Sequence, residues 1–292
     1  PKEKNKSGVC VCLIGAGGFS AQVMLPALVA TSARLKYIVS EKGVSGSHLG
    51  KKYGFEKSST DVDSAINDPE VNTLIITTRH NNHAKYVIQG LRNNKRIFVE
   101  KPLCLKPKEL TEIAEIYLSL QKSGNCPFLM VGFNRRFAPQ VSKIKSLLSS
   151  IKEPKVIVMN VNAGYIPSNH WTQDSDIGGG RIIGEACHFI DLLRYIVGCK
   201  IVFISPAFAK FPSREVQDTV IITLKFSDGS VGSINYFSNG NKMFPKERLE
   251  VFTAGKILQL NNFRKMKGFG WEKFSKMNLW KQDKGHKAEI DA

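Results

Sequence analysis

The residues with the clearest capacity for chemistry stand at the end of a short apolar run. Ile97-Phe98-Val99 reads as a buried strand, and it stops at Glu100-Lys101-Pro102. In an open α/β sheet, ligands bind outside the carboxyl ends of the strands, so the Lys101 ammonium stands where chemistry usually happens. The proline forces a turn there and could hold a cis bond. The competing reading is an ordinary surface lysine at a strand end. A second set lies on a predicted helix over residues 181–197, where Glu185, His188 and Asp191 recur every three residues and share one face. An acid and an imidazole so placed could relay a proton. They could equally form a structural network around a buried His188.

A third set is a glycine turn. An apolar strand over residues 9–14 runs into Gly15-Ala16-Gly17-Gly18-Phe19-Ser20, and a helix begins at 21–25. Strand, glycine turn and helix form the context that a dinucleotide fingerprint requires. Gly15 allows the tight turn, and Gly17 lets the backbone approach a pyrophosphate. The helix start supplies free N–H groups to the anion. Ser20 stands where a third glycine often stands and is small enough for helix and strand to lie close. Past the next strand comes Ser40-Glu41-Lys42. Glu41 is near the spacing of an acid that binds the ribose hydroxyls of NAD, whereas Ser40 and Lys42 would suit the 2′-phosphate of NADP. The balance tips slightly to NAD. Polar residues from Thr77 and Thr78 through Arg79 to His83 follow another strand and fit a cofactor cleft; for His83, helix capping is the alternative.

These residues need elements to position them. Strands over 9–14, 35–39, 72–77, 97–99 and 128–132 alternate with helices over 47–53, 61–67, 84–93 and 110–121. Such alternation predicts a doubly wound parallel sheet with right-handed connections. After Asn134-Arg135-Arg136-Phe137 the pattern changes. A helix over 141–148 precedes strands at 154–163, within 207–237, at 248–252 and at 256–260, which read as an antiparallel sheet. The fold class is therefore α/β, with a domain over 1–133 and an α+β domain over 134–292. The basic, aromatic stretch 263–287 reads first as a solvated loop with aromatic anchors; such interleaving could also bind single-stranded nucleic acid, grip a nucleotide-sugar diphosphate or pack on a neighbouring domain, and a helix begins near 287–290.

The chain has 292 residues, enough for two domains with real cores. No apolar run is long enough to cross a bilayer, and the polar, lysine-rich start over 1–7 does not resemble a signal peptide. None of the six cysteines forms a CxxC pair, so no metal site is expected. Cys10 and Cys12 read as small buried residues, and the set points to a reducing, cytoplasmic setting. The net charge of +17 calls for an acidic partner: nucleic acid, an anionic surface or a phosphorylated small molecule. No nucleic-acid module is present, and the small molecule is preferred; Arg135 and Arg136 would suit an anionic substrate.

Together, the glycine turn, Thr78 to His83, Asn94 to Pro102, Gly132 to Phe137, and Gly178-Gly179-Gly180 followed by His188 and Asp191 resemble the Gfo/Idh/MocA oxidoreductases, the glucose–fructose oxidoreductase and inositol dehydrogenase superfamily. Residues 162–167 and 178–191 look most like the version found as the C-terminal half of bi-domain oxidoreductases. The resemblance implies a Rossmann domain and a C-terminal α+β domain with a large open, mostly antiparallel sheet. It implies NAD or NADP, and a sugar or nucleotide-sugar substrate in sugar or polysaccharide metabolism. It implies either a homo-oligomer through the C-terminal sheet or a fused N-terminal dehydrogenase half. By the same resemblance, Lys101 touches nicotinamide ribose and substrate, His188 takes the hydroxyl proton, and Glu100 and Trp171 lie near the cofactor. Asn134, Arg135 and Tyr165 belong with the substrate. Two departures stand out. Thr172 replaces an arginine, and Gly184 holds the place of an aspartate, with Glu185 beside it as a substitute of different reach or as part of an altered relay. A cofactor-binding protein without turnover is the alternative.

Overall fold

Strand β1 (Cys10–Ile14) is buried at every position. A strand with no polar alternation must be covered on both faces, which is the parallel-sheet case. The computed structural model describes residues 8–212 and 217–292 and divides them into two compact units. The first comprises 8–132, Asp176–Gly179 and Glu289–Ala292. Its strands are β1, β2 (Arg34–Val39), β3 (Lys57–Ser59), β4 (Thr73–Ile76), β5 (Arg96–Val99) and β6 (Leu129–Val131). They form one all-parallel sheet in the order β3-β2-β1-β4-β5-β6. Helices α1 (Leu25–Val29), α2 (Val44–Tyr53), α3 (Val62–Asn67), α4 (His83–Arg92) and α5 (Pro107–Lys122) connect them. The pleat sorts the core into two layers. Cys12, Ile14, Leu74, Ile76, Ile97 and Val99 pack in one cluster, while Val11, Leu13, Ile75 and Phe98 pack in the other. Burial raises the Cys12 thiol to about 12, in keeping with a cysteine used as a small apolar residue. The polar edge strand β3 carries no apolar signal and is visible only from its pairing with β2.

The second unit comprises Phe133–Ser175 and Gly180–Ala288. Helices α6 (Pro139–Leu148) and α7 (Cys187–Val197) cover one face of an eight-stranded sheet. Its strands are β7 (Val156–Asn162), β8 (Ile201–Phe208), β9 (Val220–Phe226), β10 (Val231–Phe237), β11 (Glu247–Thr253), β12 (Lys256–Asn261), β13 (Lys265–Phe269) and β14 (Lys276–Asn278). The order is β14-β13-β12-β11-β7-β10-β9-β8, antiparallel except for the parallel pair β7 and β10. Burial alternates along β7, β9, β10 and β11 as a one-faced sheet requires.

The expected fold class holds, with two local differences. Strand β8 begins at Ile201, earlier than the apolar pattern indicated, and residues 213–216 of that expected stretch lie outside the described residues, as does the lysine-rich 1–7. The basic, aromatic stretch is not a loop but two more strands. Met266 turns into the core between outward-facing Lys265 and Lys267, and Phe263 and Phe274 are buried at the turns. Alternation over so few residues is a weak signal beside so many lysines. A helix, α8 (His286–Asp291), does run near 287–290. Among the described residues no helix is long and apolar enough to cross a membrane, and no cluster of His, Cys, Asp and Glu could hold a metal ion.

Candidate active site

The register of the first sheet brings the sequence signals to one edge. Ile14 lies beside Ile76, and Ile76 beside Val99, so Gly15, Thr77 and Glu100 leave the three central strands at the same level. Gly15 adopts φ +113°, and a Cβ there would lie 2.6 Å from the Thr77 carbonyl carbon and 2.8 Å from the Thr78 nitrogen. Only glycine meets both conditions. Ser20 Oγ and Thr77 Oγ1 lie 2.7 and 2.8 Å from the Gly15 carbonyl oxygen and 2.8 Å from each other, so their two hydroxyl protons are shared over this triangle. Both side chains, expected at the cofactor, thus fasten the turn to the end of β4. Gly17 and Gly18 are exposed, with open space where a Cβ would stand, and Phe19 lies at the surface. A single π-helical turn, Ser20–Met24, leads from here into α1. Such turns are rare and often mark functional sites. An exposed glycine backbone at the head of a helix fits a dinucleotide pyrophosphate. Gly15→Ala should lower the unfolding free energy by about 1–3 kcal/mol in a urea titration and weaken NADH binding measured by fluorescence.

Beyond β2, Ser40 Oγ accepts from the Gly46 N–H at 3.1 Å and is buried, while Glu41 is exposed. Beyond β4, Thr78 is partly exposed and Arg79 exposed. His83 is wholly buried, and its ring lies between the carbonyls of Pro102 and Thr78, with Nδ1 2.7 Å from the first and Nε2 3.1 Å from the second; a neutral ring donates to one of them. Burial pushes its pKa down. The ring is therefore a clamp between two loops rather than an open ligand. One of those loops carries Lys101, which is partly exposed and joined to Pro102 by a cis bond. Beside it, burial raises the Glu100 carboxyl to about 7 against the pull of the Lys101 charge. That carboxyl lies on Gly132, where a Cβ would come within 2.9 Å of Oε1.

Sequence reasoning passed over His80. Its ring nitrogen Nδ1 bonds the Gly178 carbonyl at 2.7 Å, and the Asn81 N–H donates to Ile177 O at 3.1 Å. Burial brings the His80 pKa down to about 4. The start of the triple glycine is thereby tied down. The only cue was His80's place in the polar cluster after β4.

In the second unit, another π-helical turn, Ile182–Ala186, leads into α7. His188 lies in the first turn of α7, 6% exposed, with its ring edge-on to Phe133 at 6.1 Å. Glu185 does not stand ready as a proton carrier. Its oxygens accept from Arg181 at 3.0 Å, Tyr236 at 2.5 Å and Lys246 at 2.5 Å. Burial would raise its pKa, but Lys246, Tyr236 and Arg181 outweigh burial and bring it to about 2. Asp191 is chelated by Arg136 through Nε and Nη2. Arg135, expected at the substrate, is instead buried in a two-pronged pair with Glu247 at 2.8 Å on each prong, its guanidinium over Phe189. Asn134 is also buried and donates to the Lys284 carbonyl at 2.8 Å. Tyr165 is exposed, and Trp171 is half-buried beside His170.

Residues 9–133 match an oxidoreductase family described by its NAD-binding Rossmann fold, and residues 147–257 match the GFO/IDH/MocA C-terminal domain. An uncharacterized oxidoreductase of Bacillus subtilis, YrbE, is 28% identical over 207 residues, 68% of this chain and 57% of that protein. Myo-inositol 2-dehydrogenase of Thermotoga maritima is 26% identical over 221 residues, 73% of this chain and 64% of the relative. The chain thus spans less than two thirds of the length of these curated relatives. Among solved structures, levoglucosan dehydrogenase in complex with NADH superposes with a TM-score of 0.80 at 21% identity, over 96% of this chain and 82% of that one. With both domain models matched in order along most of its length, the chain belongs to the GFO/IDH/MocA family of NAD-binding oxidoreductases.

Proposed function

We propose that the chain serves hydride transfer between NAD and a secondary alcohol on a hydroxylated ring: a sugar, a cyclitol or a nucleotide-linked sugar. The observation that carries this reading is the shared edge of the first sheet. The exposed glycine turn and Lys101 leave the strands on either side of β4 at the same level, and the buried His83 ring packs between the Lys101 loop and the end of β4. The inositol dehydrogenase of Thermotoga maritima and the levoglucosan dehydrogenase structure with NADH support the substrate class and the cofactor by likeness.

The backbone at Gly17 and Gly18 would hold the pyrophosphate, and Glu41, exposed after β2, would take the ribose hydroxyls that favour NAD over NADP. When bound, the nicotinamide supplies the hydride acceptor. Lys101 would stabilise negative charge on the alcohol oxygen as its proton leaves. His188 would accept that proton, since a neutral imidazole is a competent base near pH 7. Glu185, already ionised and triply bonded, would hold the start of α7 in place rather than move a proton. Tyr165 and Trp171 would border substrate and cofactor.

The test is reduced-cofactor absorbance at saturating NAD, against a panel of inositols, free sugars and UDP- and GDP-sugars. Turnover on at least one, reduced about 10²–10⁴-fold in His188→Asn with NADH affinity kept, is the expected result. A second reading, cofactor binding without turnover, is favoured by the commitment of Glu185 to three donors and by Gly184 in the place of an acid. NADH binding with no oxidation of any panel member would select it.

A further inference from the structure

The second sheet holds a pocket on the face turned away from α7. Along β7, the residues Ile157, Met159 and Val161 point into the core shared with α7, so Asn160 and Asn162 point to the opposite side. The same alternation puts Asn235 and Phe237 of β10 and Arg248 of β11 on that side. The register sets Asn235, Asn160 and Arg248 in one cross-strand row. Asparagine is depleted in strands, so three asparagines in the two inner strands β7 and β10 cost stability without packing gain. Local rules broken in this way tend to mark functional sites.

The loop after β10 roofs the row. Asn162 Nδ2 donates to Asn241 O at 2.7 Å and to Phe244 O at 3.2 Å. Gly240 lies so close over Asn162 Oδ1 that a Cβ would collide with it. Asn241 Oδ1 accepts from the Met243 N–H at 2.9 Å, which fixes the turn. The result is a pocket of about 360 Å³. That is within the range of about 300–1,000 Å³ in which small molecules bind. Phe237, Phe244 and Pro245 wall it, and Asn160 and Arg248 line it.

Its chemistry is specific. Asn235 Nδ2 donates to Asn160 Oδ1 at 2.8 Å, which leaves the Asn160 NH₂ as the group with donors to offer. Among the described residues, the carboxylate within ion-pair reach of Arg248 is that of Glu250, 3.5 Å from Nε, and it also accepts from Gln259. The terminal guanidinium nitrogens have the fork geometry that carboxylates and phosphates take in two prongs. Amides match hydroxyls, which both donate and accept, and phenyl walls suit the carbon face of a ring. We infer that this pocket binds an anionic sugar, a hydroxylated ring carrying a carboxylate or a phosphate, on the opposite side of the sheet from the helix that bears His188. This inference does not depend on the proposed catalytic reading.

Calorimetric titration of the intact chain with glucuronate, glucose 6-phosphate, glucose and inorganic phosphate tests it. The expected result is a dissociation constant below about 1 mM for glucuronate or glucose 6-phosphate, with glucose and inorganic phosphate at least about tenfold weaker. Whichever anionic sugar binds assigns the anion. Arg248→Gln, at an exposed position, and Asn160→Ala should each weaken that probe about tenfold or more with an unchanged circular dichroism spectrum. Gly240→Ala, which lifts the roof, should do the same, so the proposal stays testable if one variant misfolds. It is overturned if no probe binds, if inorganic phosphate binds as tightly as the sugars (an adventitious ion only), or if Arg248→Gln leaves affinity within about twofold. It is also overturned if Arg248→Gln changes the sedimentation coefficient while no probe binds, since the pocket would then belong to a contact between copies.

Discussion

Replacing Lys101 by methionine is expected to lower kcat about 10²–10³-fold on whichever alcohol the protein oxidises, while NADH affinity by fluorescence changes little. The expectation rests on what the side chain does when an alcohol gives up its proton. The ammonium is a fixed positive charge at the carboxyl end of β5, and its loop is held by the buried His83 ring across Pro102 O and Thr78 O. A charge placed in advance costs little reorganisation at the moment of reaction. Methionine keeps most of the length and the apolar stem but removes the charge, so a structural role for Lys101 would show as lost stability rather than lost turnover. A kcat within about threefold of wild type would remove Lys101 from the mechanism. Steady-state kinetics and urea unfolding on the same preparation separate the two outcomes.

The largest effect on stability is expected at Glu247. Its carboxylate is 1% exposed and receives both prongs of Arg135, with Lys284 Nζ at 2.7 Å from Oε1. Glu247→Ala leaves two cations in the core of the second unit without their anion. Removing one partner of a buried pair costs about 3–5 kcal/mol, chiefly through the charge left behind. Urea unfolding should show that loss, and Glu247→Gln, which keeps the shape and acceptor oxygen, should lose less. The pair also sets the acid limit. Burial would raise the Glu247 pKa, but Arg135 and Lys284 outweigh it and bring it to about 2. In the unfolded chain a glutamate titrates near about 4.3. The folded state therefore binds fewer protons between those values, and the stabilisation is complete above about 4.3 and lost as pH falls toward 2. Glu185 is depressed in the same direction and adds to that slope. Unfolding midpoints that stay level from pH 6 down to 3 would contradict both assignments.

What could be read without coordinates was local. The glycine turn, the alternation of strand and helix, the strand end at Lys101 and the helix face of His188 are each written within a few residues. Backbone conformation and side-chain period are set over that range, so the fold class and the carboxyl edge where Gly15, Thr77 and Glu100 meet could be anticipated. The choice of partners could not. Arg135 looked like a substrate ligand because the arginine run is basic, yet its acid stands 112 residues away in β11. Glu185 looked like a proton carrier until β10 and the residue before β11 brought Tyr236 and Lys246 to it. His83 became a clamp because Pro102 and Thr78 converge on it, and the lysine-rich tail became strands because Met266 found a core. In each case a polar or charged group leaving water must be matched by whatever the folded chain brings close. That match is made across the chain, and tertiary packing alone decided it.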